Sequence, residues 1–267
     1  MLSRNLEKAR SAYDEKDVQA SVKAHSGKKR VHEFHKVGQG QYIKSVVYGG
    51  LDGVVTTFAI VAGVVGADLK SGIILILGFA NLFADGLSMA VGDYLSSKAE
   101  QEFIKAERTR EEWEMENHPE GEKQEMIELY NSKGYSIEDA TQIVTLMLKN
   151  EKAFVDTMMV EELGLLEETE SPIKNALATF FSFAIFGFVP LFIYLITMII
   201  PQLASNTFLL ASILTGLTLF SLGALKTRFT DKSWFKSGME MLIVGGLAAA
   251  AAYFIGHFAK LIFGIEI

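Results

Sequence analysis

Cysteine is absent from the 267-residue chain. That excludes thiolate metal sites, thiol catalysis and disulfide bonds, and it leaves the redox compartment open. Charge is missing from long stretches as well. Five apolar segments, Val46–Gly66, Gly72–Leu95, Asn175–Ile200, Thr207–Leu225 and Gly238–Gly264, hold 117 residues but only five of the 57 charged side chains: Asp52, Asp85, Asp93, Glu240 and Lys260. So uneven a distribution excludes an ordinary soluble domain. The segments also lack the alternation of ~10-residue strands that a membrane barrel needs. No internal repeat is present, and the only low-complexity tract, Ala248–Ala252, reads as a tight helix-packing face. No cleavable signal peptide is expected, because the first 45 residues are polar and include ten Lys or Arg.

Each apolar segment is near or above the ~20 residues that cross a ~30 Å hydrocarbon core as a helix. Soluble helices of that length would need a polar face, and these have almost none. Of the 25 Lys and Arg, 23 fall before the first segment, between the second and third, or between the fourth and fifth. The positive-inside rule makes that side cytoplasmic. The expectation is an all-α membrane protein with five transmembrane helices, N-terminus in the cytoplasm and C-terminus outside. Residues 1–45 form a cytoplasmic segment, 46–95 the first two spans, 96–174 an inserted helical acidic domain, and 175–267 the last three spans.

The insertion carries 20 Asp or Glu against nine Lys or Arg. Apolar residues recur in it at helical spacing: Phe103, Ala106 and Met115, then Met126, Leu129 and Tyr130, then Ile143, Leu146, Met147 and Phe154. Asn117-His118-Pro119-Glu120-Gly121 and Ser132-Lys133-Gly134 break the pattern, and Ser136-x-x-Asp139 offers a cap for a new helix. Glu111-x-x-Glu114 and Glu122-x-x-Glu125 each place two carboxylates on one helix face, and the break between them lets all four converge. Met158, Met159, Glu161 and Glu162 put a thioether and a carboxylate one turn apart. A solvated acidic face explains any one of these pairs equally well. The Glu-x-x-His motif of di-iron carboxylate proteins is missing, and the domain's only histidine is His118, so a ferroxidase centre is not expected. Residues 3–24 read as an amphipathic helix with Leu6, Ala9, Tyr13 and Val18 on one side, and His32-x-x-His35 reads as incidental rather than a metal site.

Ionisable residues deep in a span cost ~2.5–3.5 kcal/mol on insertion scales and mark pathways or partners. Asp52 lies six residues into the first span, ~9 Å from its cytoplasmic end. Met89 lies six residues from the end of the second span, which runs the other way, so the two side chains share a level. Asn81, Asp85, Met89 and Asp93 are spaced four apart and form one stripe. A carboxylate beside a thioether suits a borderline transition ion better than Na+, Ca2+ or Mg2+. Gly49-x-x-x-Gly53 allows close helix approach, to a neighbour in the chain or to a twin in a dimer.

Two stretches carry a resemblance: Tyr48-Gly-Gly-Leu-Asp52-Gly-Val-Val-Thr-Thr-Phe-Ala-Ile-Val-Ala-Gly63 and Ala84-Asp-Gly-Leu-Ser-Met89-Ala-Val-Gly-Asp-Tyr94. They are similar to the vacuolar iron transporter family, and the likeness runs from about Tyr42 to the last span. The resemblance implies proton-coupled export of Fe2+, often Mn2+, from cytosol to vacuole or outside, by a homodimer whose two copies of span one line the path. It implies passage past Asp52 and Met89, with Asp85, Asn81 and Asp93 nearby. It also implies a cytoplasmic metal site of Glu111, Glu114, Glu122, Glu125 and Glu162 with Met158 and Met159. Two positions depart from the family pattern. Ser45 stands one heptad before Asp52 where a carboxylate is expected, and Asn81 stands where span two should carry a glutamate, a charge that Asp85 one turn away can replace. The expected protein is a secondary transporter and not an enzyme, with a lipid bilayer, divalent metal ions and protons as partners, no resident cofactor and no nucleic acid. Glu/Met ligation admits Zn2+ and Co2+ as well. An iron-storing or oxidising membrane protein and a metal-sensing scaffold are the rival readings. An endomembrane is favoured over a bacterial plasma membrane.

Overall fold

The computed structural model describes residues 11–13, 15–25, 37–166, 171–227 and 233–264, without side chains for 24, 25, 37–43 and 201. The elements are α1 (Val18–His25), α2 (Val37–Gly66), α3 (Ser71–Asn117), α4 (Pro119–Ser132), α5 (Ile137–Met147), α6 (Glu151–Glu161), α7 (Pro172–Ile199), a 3-10 turn (Pro201–Asn206), α8 (Thr207–Lys226) and α9 (Trp234–Phe263). No strand occurs among the described residues. Five helices are long and apolar enough to cross a membrane, and the fold is all-α.

The chain divides into two units, Met1–Lys44 and Ser45–Ile267. In the first, a single helix over 3–24 does not form. Lys16 adopts a left-handed conformation (φ 55°), and the Asp17 carboxylate accepts the Ala20 amide at 3.0 Å, so helix formation restarts as α1. Tyr13 and Val18 are exposed. Leu6, Ala9, His32 and His35 lie outside the described residues.

In the second unit, α2, α3 and α7 share an apolar core that includes Val61, Ile74, Leu82, Phe183, Leu191 and Tyr194. A second cluster joins Val54 to Leu219, Leu222 and Met241 of α8 and α9. The Gly49–Gly53 face is taken up within the chain. A Cβ on Gly49 would lie 2.7 Å from the Thr179 carbonyl oxygen, and one on Gly53 would collide with the Phe183 backbone. The missing side chains therefore let α2 pack backbone-to-backbone on α7. Near its far end α2 meets α9 in the same way, where Gly256 sits against the Gly63 carbonyl. Large apolar side chains on the outer faces, among them Ile76, Phe83, Val91, Leu247, Ile255 and Leu261, are exposed. A water-soluble protein of this size would not carry so much exposed apolar surface, and a lipid-facing one requires it.

The helix carrying span two does not stop at Leu95. It runs unbroken for 47 residues to Asn117, ~70 Å at 1.5 Å per residue, and its last part is the first helix of the acidic unit. His118 ends it and Pro119 opens α4, where the absent N–H costs nothing. Ser136 caps α5, its hydroxyl accepting the Asp139 amide at 3.1 Å. The stretch from Ile137 to Glu161 holds two helices. Asn150 accepts the Ala153 amide at 3.2 Å and starts α6. The unit's core is Ile104, Met115, Met126, Ile127, Ala140, Val144, Phe154, Val155, Met158 and Met159. Phe103 and Leu146, expected to face inward, are exposed.

Candidate metal centre and membrane path

Glu111 and Glu114 occupy the last two turns of α3, and Glu122 and Glu125 the first two of α4. The tight His118-Pro119 corner folds these turns back on each other. Ligand oxygens of Glu111, Glu114 and Glu122 all lie within 4.8 Å of one another. Glu125 and Glu162 lie within electrostatic reach of this group. Glu162 follows the end of α6, so the cluster draws on three helices. Glu111 and Glu122 are buried, at 3% and 4% exposure. Among the described residues Glu122 Oε2 is buried with no hydrogen-bond partner. A buried carboxylate oxygen facing other carboxylates is satisfied by a proton or a cation.

Burial pushes the Glu122 carboxyl up to about 7, with Glu125, Glu111, Glu114 and Glu162 adding to the rise. Glu162 is also pushed up to about 7, first by partial burial and then by Glu125 and Glu111. It lies at the exposed rim, where solvent and salt soften the effect, so Glu122 is the stronger titrating group. A feature the sequence reading missed is Arg110. Its guanidinium donates to Glu111 at 2.9 Å, pairs with Glu107 at 3.0 Å and lies 3.8 Å from Glu114. Its i,i+4 spacing from Glu114 was the available signal. Met158 and Met159, expected as thioether ligands, are buried in the core of the unit beside Met115 and Met126.

In the membrane region, two of the five charged residues have partners near helix ends. Lys260 donates to Asp68 at 2.8 Å, and Glu240 lies 4.0 Å from Lys226. The three aspartates remain. Asp52 is half-buried on α2, and its carboxylate is within electrostatic reach of Asp85 on α3. Asp85 is exposed on the single chain. Met89 is half-buried and packs on the apolar core. Asn81 has a buried amide nitrogen with no partner among the described residues. Asp93 is bonded rather than simply solvated: Thr179 donates to it at 2.5 Å and Ser45 at 3.5 Å. The stripe on α3 thus brings Asp85 to Asp52 and Asp93 to α2 and α7.

Five membrane-length helices, carboxylates inside them and a convergent glutamate cluster on an extension of the second define a multi-pass membrane protein equipped to handle cations. The profile of the VIT family matches residues 43–257. A vacuolar iron transporter of Toxoplasma gondii is 43% identical over 99% of this chain and 91% of its own length. One from Plasmodium falciparum is 38% identical over 97% and 98%, and vacuolar iron transporter 1 of Arabidopsis thaliana is 34% identical over 80% and 84%. The chain belongs to the VIT family.

Proposed function

We propose that this protein is a proton-coupled antiporter that exports Fe2+, and Mn2+ where it is available, from the cytosol across an endomembrane such as a vacuole's. The single observation that carries the reading is the continuity of α3. One unbroken 47-residue helix holds Asp85 and Met89 in its apolar half and Glu111 and Glu114 at its polar end. A cation collected by the glutamates is therefore tethered to the helix that lines its way through the membrane.

The acidic unit faces the cytosol, as the distribution of lysine and arginine requires. Its excess negative charge concentrates divalent cations, and Glu111, Glu114, Glu122, Glu125 and Glu162 hold one in place of protons. Met158 and Met159 reach the ion only if their side chains turn out of the core. The ion then moves to the level of Asp52 and Met89, where sulfur favours a borderline transition ion over Mg2+ or Ca2+. Returning protons neutralise Asp52 and Asp85 and release it. Since Asn81 cannot carry a proton, Asp85 takes the role the resemblance gives to a glutamate there. Two copies assemble through the α2 face bearing Tyr48 and Asp52, which supplies a protein cover for Asp85 that lipid cannot.

Mutant transport tests the path. Asp52→Ala is expected to abolish metal uptake into liposomes containing the purified protein. Glu111→Ala with Glu114→Ala is expected to raise the metal concentration for half-maximal rate about ten-fold or more, with the maximal rate nearly kept. Wild-type flux through Asp52→Ala would remove the path assignment.

A further inference from the structure

A second cluster lies where α2, α3 and α7 meet on the side of the acidic unit. Ser45 of α2 and Thr179 of α7 both donate to the same Asp93 oxygen, Oδ2. Among the described residues no hydrogen bond reaches Oδ1. One turn before Thr179, on the same face of α7, is Asn175. It is 8% exposed, and its side-chain carbonyl oxygen Oδ1 is buried without a partner among the described residues. A buried acceptor without a donor is costly, and native structures almost always supply one.

The chemistry of the group identifies the missing partner. Each hydroxyl has spent its proton on Asp93 and offers only lone pairs to anything further. Asn175 Oδ1 and Asp93 Oδ1 are acceptors as well. Three helices thus carry oxygen acceptors at this junction, and the donors to Asn175 Oδ1 and Asp93 Oδ1 come from water, free or in the hydration shell of a cation drawn by the carboxylate. Oxygen alone, without sulfur or nitrogen, is the donor set for an ion that keeps part of its water. Asp93 also lies one turn below Met89, and Ser45 two turns below Asp52, ~6 and ~10 Å along their helices.

We propose that Ser45, Asp93, Asn175 and Thr179 form a vestibule site for a partly hydrated divalent cation, a stage between the glutamate cluster and the Asp52–Met89 level. In this chain Asp93 supplies, from the neighbouring helix, the carboxylate that Ser45 lacks. The role in transport rests on the antiport reading; the binding of an ion does not.

The test uses the full chain in detergent with Glu111, Glu114, Glu122, Glu125 and Glu162 changed to Gln and Asp52 to Asn, titrated with Mn2+ and followed by the resonance signal of free Mn2+. One Mn2+ per chain is expected to remain bound. Asn175→Ala is expected to weaken it about ten-fold or more without lowering the metal-free melting temperature, Asp93→Asn to abolish it, and Asn175→Asp to tighten it. No bound Mn2+ in the stripped chain, or equal affinity after Asn175→Ala and Asn175→Asp, would overturn the site. A stripped chain that binds Mn2+ while the unmodified protein moves no ion would leave the site standing and remove the transport reading instead.

Discussion

A carboxylate buried among carboxylates is stable only when something positive is close, and in this cluster three partners compete: a proton at Glu122, Arg110 at Glu111 and Glu114, or a metal. The sign of the pH effect follows from its carboxyl standing at about 7 instead of the ordinary 4.5. A carboxyl raised in the folded state stabilises the fold below its unfolded value, and that contribution is lost as pH rises through the folded value. The metal-free protein is therefore expected to melt at a lower temperature at pH 8 than at pH 5.5, and Mn2+ to restore more stability at pH 8. Metal affinity runs the opposite way to metal-free stability. With two groups titrating together near 7, it is expected to fall about ten- to a hundred-fold between pH 8 and pH 6, as a metal titration at each pH would register. A flat profile would mean the glutamates stay charged without metal. Arg110 competes for the same carboxylates, so Arg110→Gln is expected to tighten metal binding several-fold while lowering the metal-free melting temperature. The glutamate pairs were legible in the sequence because i,i+3 spacing puts carboxylates on one face. For Met158 and Met159, spacing fixes a face of the helix but not whether that face meets the core, which is where the structure places them.

At the scale of elements, the spans were legible because charge vanishes from them, a signal that needs no tertiary information. The length of α3 was not, because composition changes at Leu95 while the backbone has no reason to. No Gly or Pro stands between Tyr94 and His118, so nothing breaks the helix when it leaves the apolar stretch. The division between α5 and α6 had a sequence signal in Asn150, a preferred N-cap. Asn150→Ala is expected to cost about 1 kcal/mol and lower the melting temperature by a few degrees. Metal release from the cluster should become easier, since Glu162 sits at the far end of α6 and loses its anchor. A melting curve and a metal titration on one preparation would check both effects. The cluster at Asp93 was illegible for a different reason. Asn175 and Thr179 sit in an uncharged segment, and only the packing of α7 on α2 and α3 gives them meaning.

At the scale of the whole molecule, the spacing Gly49-x-x-x-Gly53 could not choose between a neighbour and a twin, and the fold assigns it to α7. That leaves the Tyr48–Asp52 face of α2, with Asp85 beside it, open to the second copy that the proposed function calls for. On the proposed reading α3 carries Asp85 and Met89 in its apolar part and Glu111 and Glu114 near its polar end, a continuity that an export route requires and a storage protein does not. The most direct measurement is Fe2+ uptake into sealed liposomes holding the purified protein with its acidic unit outward, with and without an acidic interior. Uptake that grows with the proton gradient, with the lumen losing protons as iron enters, is the result the account predicts. Bound Fe2+ on the outer face with no uptake under any gradient would contradict it.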